Sequence, residues 1–278
     1  MDAKHVLLQK VAAPGMHFSV GQRKIQAGAA LLFLFGAAAV HAEWKVISTQ
    51  IEPSAARRLE HRYLVVEDFG SGDRVSIELA LFATKSFKLR VIDQPTEPRV
   101  DLDQAMRREK CLAGVNGGYF NPDYRPIGLL VVNGQTVAPL QRAKLLTGVL
   151  AASAGKVQIV RVGEFSLKQK IDAAVECGPM IVDLGKPVRG LEGTRSARRT
   201  FAAMTSGDRA ALGFSSDVTL ADLSKILTAQ LSGDFTVQRV LNLDGGSSSA
   251  FWFARSNGSV FSISEEKTVR DFVAIVPK

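Results

Sequence analysis

The chain alternates short apolar runs with turn residues, a pattern of many short strands and few helices. Tyr63–Asp68, Val75–Phe82 and Leu89–Ile92 read as strands. Asp101–Lys110 is polar with Leu102, Ala105 and Met106 on one face, which predicts a short helix. Leu112–Val115 reads as a buried strand, and Gly128–Val137 contains Asn133-Gly134, the strongest short hairpin signal. Lys156–Val162 follows another turn, and Met180–Val188 folds back at Gly185-Lys186. Thr200–Thr205 and Ala210–Phe214 flank Ser206–Arg209, and Phe251–Ala254 and Val260–Ile263 flank Asn257-Gly258. Phe272–Val276 closes the chain. The clearest helix is Thr219–Gln230, where Thr219 and Asp222 form a cap signal and Leu220, Leu223, Ile226 and Leu227 repeat at helical spacing. It leads into the strand Arg239–Leu243. The expected class is α+β, with mixed, largely antiparallel sheets, several hairpins and a few flanking helices. No fixed-period repeat and no dividing linker occur, so residues 43–278 are expected to form a single domain.

The first 42 residues differ. Lys4, Lys10, Arg23 and Lys24 precede the uncharged apolar run Ala27–Val40, and Val40-His41-Ala42 has small residues where a signal peptidase reads. Residues 1–42 therefore read as a Sec-type signal peptide, cleaved after Ala42. The apolar run is shorter than the ~20 residues a membrane span needs, so no stable anchor is expected. The implied location is periplasmic or secreted.

Composition narrows the function. With 46% hydrophobic and 22% charged residues among 278, the chain is neither a membrane bundle nor disordered. Four of the 35 basic and one of the 27 acidic residues precede Glu43, which leaves 31 against 26, a net +5. That charge does not point to nucleic acid, and it suits an anionic substrate. Cys111 and Cys177 form either one disulfide or two buried thiols; the sequence leaves both open. Three of four histidines precede residue 43, so a Ser-His-Asp triad or a His-rich zinc site would depend on His61 alone. His61 lies between Glu60 and Arg62 and reads as an exposed strand start without a role.

Four segments concentrate glycine, amide and charged residues at strand ends. Asn116-Gly117-Gly118-Tyr119-Phe120 follows a buried strand; its glycines allow close backbone approach, and its aromatics suit a sugar-stacking wall or a packed bulge. Glu176-Cys177-Gly178-Pro179 marks a sharp turn with Glu176 at its edge. Arg189–Thr200 holds four arginines, which suit phosphate oxygens; Arg189 and Arg195 read as solvated loop residues, while Arg198 and Arg199 abut a strand that would hold one of them in a fixed direction. In Leu241–Ser249, strand alternation sets Asn242 and Asp244 opposite Leu241 and Leu243. A polar pair on an apolar strand costs free energy unless bonded or used. Gly245 and Gly246 follow with amides suited to an anion nest, and Ser247 and Ser248 supply further donors.

In this order, Asn116–Phe120, Gly178-Pro179 with Gly185-Lys186, Arg199-Thr200, the helix Thr219–Gln230 and Asn242–Ser248 resemble the phosphodiester glycosidase family. The resemblance runs from about Tyr63 to the C-terminus and, given its short spacings, looks like a compact bacterial version. It implies hydrolysis of the glycosidic bond of a sugar-1-phosphodiester in a cell-envelope or extracellular glycan. Asp244 is then the expected nucleophile or base, Glu176 a second carboxylate, and Arg199 the stabiliser of the departing phosphate. Asn116, Gly117, Gly118, Tyr119, Phe120, Gly178, Arg198, Asn242, Gly245, Gly246, Ser247 and Ser248 are expected to contact substrate. The expected partner is a phosphodiester-linked carbohydrate. No cofactor is required, and no clear motif supports a divalent metal. Three alternatives stay open: a non-catalytic envelope polysaccharide-binding protein, a metal-dependent phosphodiesterase with Asp244 among carboxylates holding Mg²⁺ or Ca²⁺, and a structural envelope protein.

Overall fold

A computed structural model describes residues 43–154, 156–229, 231 and 234–278. The signal-peptide expectation for residues 1–42 lies outside the described residues. The remaining chain folds as expected for an α+β protein, with three sheets and two α-helices among the described residues.

The largest sheet has eight strands: β1 (Trp44–Pro53), β2 (Leu59–Asp68), β3 (Arg74–Ala83), β14 (Arg209–Val218), β13 (Ala197–Thr205), β15 (Val237–Asn242), β11 (Met180–Asp183) and β12 (Lys186–Pro187), in that order. A second sheet orders β7 (Gln135–Ala138), β6 (Leu130–Val132), β10 (Ala173–Cys177), β8 (Gly148–Ser153) and β9 (Lys156–Arg161). The third orders β17 (Val260–Ile263), β16 (Phe251–Ala254), β5 (Ala113–Asn116), β18 (Asp271–Pro277) and β4 (Phe87–Asp93). Every pairing between named strands is antiparallel.

One core is shared by all three sheets: Phe82, Leu212 and Leu241 from the first, Leu150 and Val175 from the second, Val115, Phe253 and Val273 from the third. The outer face of the large sheet is covered by α2 (Leu220–Thr228), whose Leu223, Ile226 and Leu227 pack on Leu79 and Phe201. Thr219 caps that helix as its sequence foretells, accepting from the Asp222 amide at 3.0 Å. The third sheet is covered by α1 (Leu102–Arg108) through Leu102, Ala105 and Met106. Burial of these faces, rather than helix propensity, holds two such short helices in place.

Three strands escape the sequence pattern: β1, β8 and β10. The β1 strand lies at a sheet edge and is largely exposed, so it carries no apolar alternation. In contrast, β8 and β10 are buried on both faces, and their small residues (Ala151, Ala152, Ala173, Ala174) give no strong strand signal. The turn between β11 and β12 is centred on Leu184-Gly185, one residue earlier than expected, with φ of 50° and 73°. Cys111 and Cys177 are free buried thiols, which settles the open disulfide question.

His61 is a correction. It is 3% exposed, on β2, with Nε2 2.6 Å from Glu78 Oε2 and Nδ1 3.4 Å from Glu52 Oε2. Its ring lies between 4.8 and 5.4 Å from those of Phe261, Phe253 and Phe251. The charged neighbours Glu60 and Arg62 suggest exposure, but β2 is an interior strand and His61 faces the neighbouring sheet.

Candidate active site

The site forms where the end of β15 meets the end of β5. Leu241 and Leu243 are buried in the shared core and fix the strand from below. Beyond the end of β15, the Leu243 amide donates to Thr200 O at 2.8 Å and the Asp244 amide to Gly117 O at 3.1 Å. Asn116, fully buried, ties the junction together. Its Nδ2 donates to Asp244 O at 2.7 Å, and its Oδ1 accepts from Thr200 Oγ1 at 2.6 Å and the Ala250 amide at 3.0 Å. Asn116 is thus a cross-sheet clamp, with both ends of its amide engaged by protein.

Asp244 projects from this junction and is half-buried. Burial raises its carboxyl above the ordinary range; Ser248, Lys267 and the Gly245 amide pull it back. The Gly245 amide donates to Asp244 Oδ1 at 2.9 Å, so that amide orients the carboxylate instead of contributing to an anion nest. The amides of Gly246 and Ser247 begin a short 3-10 turn, Gly246–Ser248, and have no acceptor within it. Ser248 and Ser249 are fully buried; the Ser248 hydroxyl faces the Asp244 carboxyl, and the Ser249 hydroxyl has no hydrogen-bond partner.

Three cations lie near the Asp244–Gly246 segment. Arg199 lies on β13, where Nε donates to Val218 O at 3.0 Å and Nη2 to Arg195 O at 2.6 Å. Those two carbonyls hold the guanidinium rigidly. Its Nη1 lies 4.0 Å from where a Cβ on Gly245 would stand. Burial lowers the Arg199 pKa, which means its charge is poorly solvated and gains from an incoming anion. Arg198 reaches Gly246 O at 3.4 Å through Nε and Glu266 at 3.4 Å through Nη2. Lys267, exposed, lies over Phe120 at 5.6 Å and favours the charged form of Asp244.

The remaining expected residues separate. The Tyr119 hydroxyl donates to Gly178 O at 2.6 Å, and Asn242 Nδ2 donates to the same carbonyl at 3.0 Å. Both side chains therefore brace the Gly178–Pro179 turn. Asn242 Oδ1 remains buried without a partner. Phe120 stacks on Tyr124 at 5.2 Å and turns away from Tyr119 to pack against a different cluster, so the two aromatics do not form one wall. Gly178 is required by space, since a Cβ there would stand 2.1 Å from Leu145 O.

Glu176 is not at a turn edge. It sits within β10, 1% exposed, between Val175 and Cys177, which face the shared core. Alternation sends its side chain to the opposite face. There Oε2 accepts from the Leu129 amide at 2.7 Å and the Gln141 amide at 2.9 Å. Its carboxylate anchors two loops.

The structure adds Asp271, which the sequence reading missed. It is 1% exposed, and Oδ1 accepts from the Gly118 amide at 3.0 Å while Oδ2 has no partner. Burial pushes its carboxyl up to about 7, against the pull of the Gly118 amide and with Asp93 and Asp244 adding to the rise. A Cβ on Gly117 would stand 1.8 Å from Asp271 Oδ1, so glycine is obligatory there. A signal existed: Asp271 shares a strand face with the core-facing Val273 and Ile275. Lys267, in a loop, carries no comparable signal. Among the described residues, no three His, Cys, Asp or Glu side chains come together as a metal-ligand set.

Residues 109–276 match the phosphodiester glycosidase family, and the chain belongs to it. The Escherichia coli K12 protein YigE is 35% identical over 78 residues, 26% of this chain and 31% of that one, so the match spans under a third of that relative. The fold resembles the zebrafish N-acetylglucosamine-1-phosphodiester alpha-N-acetylglucosaminidase catalytic domain, auto-inhibited by its pro-peptide, with a TM-score of 0.63 at 14% identity over 84% of this chain and 88% of that one. It also resembles a hypothetical protein from Synechocystis, with a TM-score of 0.57 at 15% identity over 85% of this chain and 68% of that one. At these identities the structural likeness is one of fold.

Proposed function

We propose that this protein hydrolyses the glycosidic bond of a sugar-1-phosphodiester, acting outside the cytoplasm on a cell-envelope or extracellular glycan. The observation that carries the reading is the half-buried Asp244, with Lys267 acting on its carboxyl and Arg198 and Arg199 beside the Gly245–Gly246 backbone that follows it, within a fold whose family is defined by this chemistry. An anion with a carbon centre next to it fits such a site: the phosphate meets the cations and the anomeric carbon meets the carboxylate.

The chemistry follows from the leaving group. The departing phosphate monoester has a second pKa of about 6, so its oxygen leaves without strong help from a general acid. Cleavage breaks the bond between the anomeric carbon and the phosphate oxygen; a water oxygen ends on that carbon, and its proton passes to a base. Asp244 takes the role of nucleophile or of base toward water and faces the positive charge that develops on the ring. Arg199 Nη1, together with the Gly246 and Ser247 amides, receives the negative charge on the departing phosphate. Asn116, Tyr119, Asn242 and Glu176 act by holding backbone.

Asp244→Asn is expected to fold with an unchanged melting temperature and to lose at least ~10²-fold in turnover of a sugar-1-phosphate methyl diester. The same assay on a plain methyl glycoside and a plain dialkyl phosphate should show little turnover. A folded Asp244→Asn variant with full activity would remove the assignment. Binding without turnover by the unaltered protein would favour the polysaccharide-binding reading.

A further inference from the structure

A groove of about 460 Å³ opens beside the site, on the far side of the Gly178–Pro179 turn. Leu145, Pro179, Val188 and Leu191 form its apolar surface, and Lys144 and Arg189 stand at its rim. Leu145 is 51% exposed, an unusual position for a leucine with neighbouring apolar surface.

Two structural links join this groove to Asp244. First, the turn is a shared wall. Pro179 lines the groove, while the carbonyl of Gly178 accepts from Tyr119 and Asn242 on the site side. Gly178 is pressed against Leu145 O, so the wall and the groove's outer lip are locked together. Second, Glu192 lines the groove and lies 3.8 Å from Arg199 Nη2, whose other arm faces Gly245.

The charges at the rim do not cancel. Arg161 is paired with Asp183 at 2.7 Å. Glu192 Oε1 accepts from the Arg195 amide at 2.6 Å and from Thr194 Oγ1 at 2.7 Å. Lys144 and Arg189 have no carboxylate within ion-pair distance among the described residues, and both are exposed. The groove therefore combines an apolar floor with two unpaired cations at its mouth. A second sugar would find few hydrogen-bonding groups on that floor. A hydrocarbon chain would find apolar surface, and Lys144 and Arg189 would add a longer-range attraction for the diester held at Arg199.

We infer that this groove is the aglycone subsite, and that it takes a hydrocarbon chain attached through the phosphate. This rests on the phosphodiester reading of the Asp244 site, and it adds the class of alcohol on the far side of the diester.

The test has two independent arms. Calorimetric titration compares octyl phosphate with methyl phosphate on the unaltered protein, on Leu145→Asp and on Lys144→Glu/Arg189→Glu. The expected result is at least tenfold tighter binding of octyl phosphate, a preference that falls at least tenfold in Leu145→Asp, and weaker binding of both phosphates in the double variant. Equal binding of the two phosphates, or a preference unchanged in Leu145→Asp, overturns the subsite. The second arm measures turnover of octyl and methyl diesters of a panel of sugar-1-phosphates. The octyl-over-methyl preference should fall at least tenfold in Leu145→Asp, and an unchanged preference also overturns the subsite. No turnover of any diester overturns the phosphodiester reading instead, and the titration then decides by itself whether the groove binds the chain.

Discussion

The His61 cluster and the Asp244 cluster use the same kinds of side chain and differ in how their polar atoms are engaged. Around His61, each ring nitrogen faces a glutamate, Arg255 pairs with Glu52 at 2.7 Å, and three phenylalanine rings close the sides. Its polar side chains engage one another. Around Asp244, Lys267 has no carboxylate within ion-pair distance among the described residues, and the buried Ser249, Asn242 and Asp271 each leave an oxygen without a partner. Buried polar groups are nearly always satisfied, so a concentration of exceptions marks a place where a ligand or water completes the bonding. A histidine next to two glutamates would attract attention in most functional readings; here the His61 cluster lines a groove of about 400 Å³ yet engages its own polar atoms, while we assign the chemistry to the Asp244 cluster.

That contrast can be broken at four points. The largest effect is expected from His61→Ala, which removes a buried ring and leaves Glu78 without its partner. A loss of about 3–5 kcal/mol in urea unfolding is expected, with turnover per folded molecule unchanged. Lost turnover in a stable variant would move the His61 cluster into the functional class. Next is Arg199→Lys, which keeps the charge but loses the fork that is held by two carbonyls and still presents Nη1. A drop in kcat/KM of about 10²-fold is expected, and full activity would remove Arg199 from the phosphate clamp.

Asp271→Asn tests the buried acid behind the Gly117–Gly118 backbone. Its folded pKa of about 7 lies well above the ordinary aspartate value, so between these the native state holds a proton that the unfolded chain has released. Its stabilising contribution is full below about pH 4 and is lost as pH rises through about 7. Stability should therefore fall with rising pH in that window by up to about 1.4 kcal/mol per pH unit from this group. The asparagine variant should flatten that slope in urea midpoints measured across the window; an unchanged slope would show that Asp271 is ionised. The smallest effect belongs to Glu52→Gln. Arg255 holds the Glu52 carboxyl below its ordinary range, but the side chain is 40% exposed. Solvent screening limits the expected loss to under ~1 kcal/mol, and a larger loss would mean that Glu52, rather than Glu78, anchors His61.

The candidate site was legible in its cores and illegible in its directions. The apolar run before Asn116 and the Leu241/Leu243 alternation located both halves of the junction, because burial writes itself into periodicity. What each amide touches could not be read, since the Asn116 amide and the Asn242 Nδ2 bond to atoms tens of residues away. Glu176 shows the same limit: the Gly178-Pro179 signal suggested a turn edge, while an alanine-rich strand without a pattern of its own buried the side chain. Asp271 was readable in principle, as an aspartate in register with core residues, but the sequence offers no way to tell a buried acid from a strand start.

The sequence by itself determined the class of fold, both helices, the cap of the Thr219 helix, most of the hairpins and the ordered set of motifs that marks the family. These depend on local rules: alternation, helical spacing, capping and turn residues, each acting over fewer than about a dozen positions. Only the tertiary structure decided which polar residues are engaged and which remain free. Whether Arg199 holds one arm out, whether Asn116 is clamp or ligand, and whether His61 is exposed depend on partners brought in from other sheets. A polar atom's availability is a property of the whole packed arrangement, and no stretch of sequence carries it.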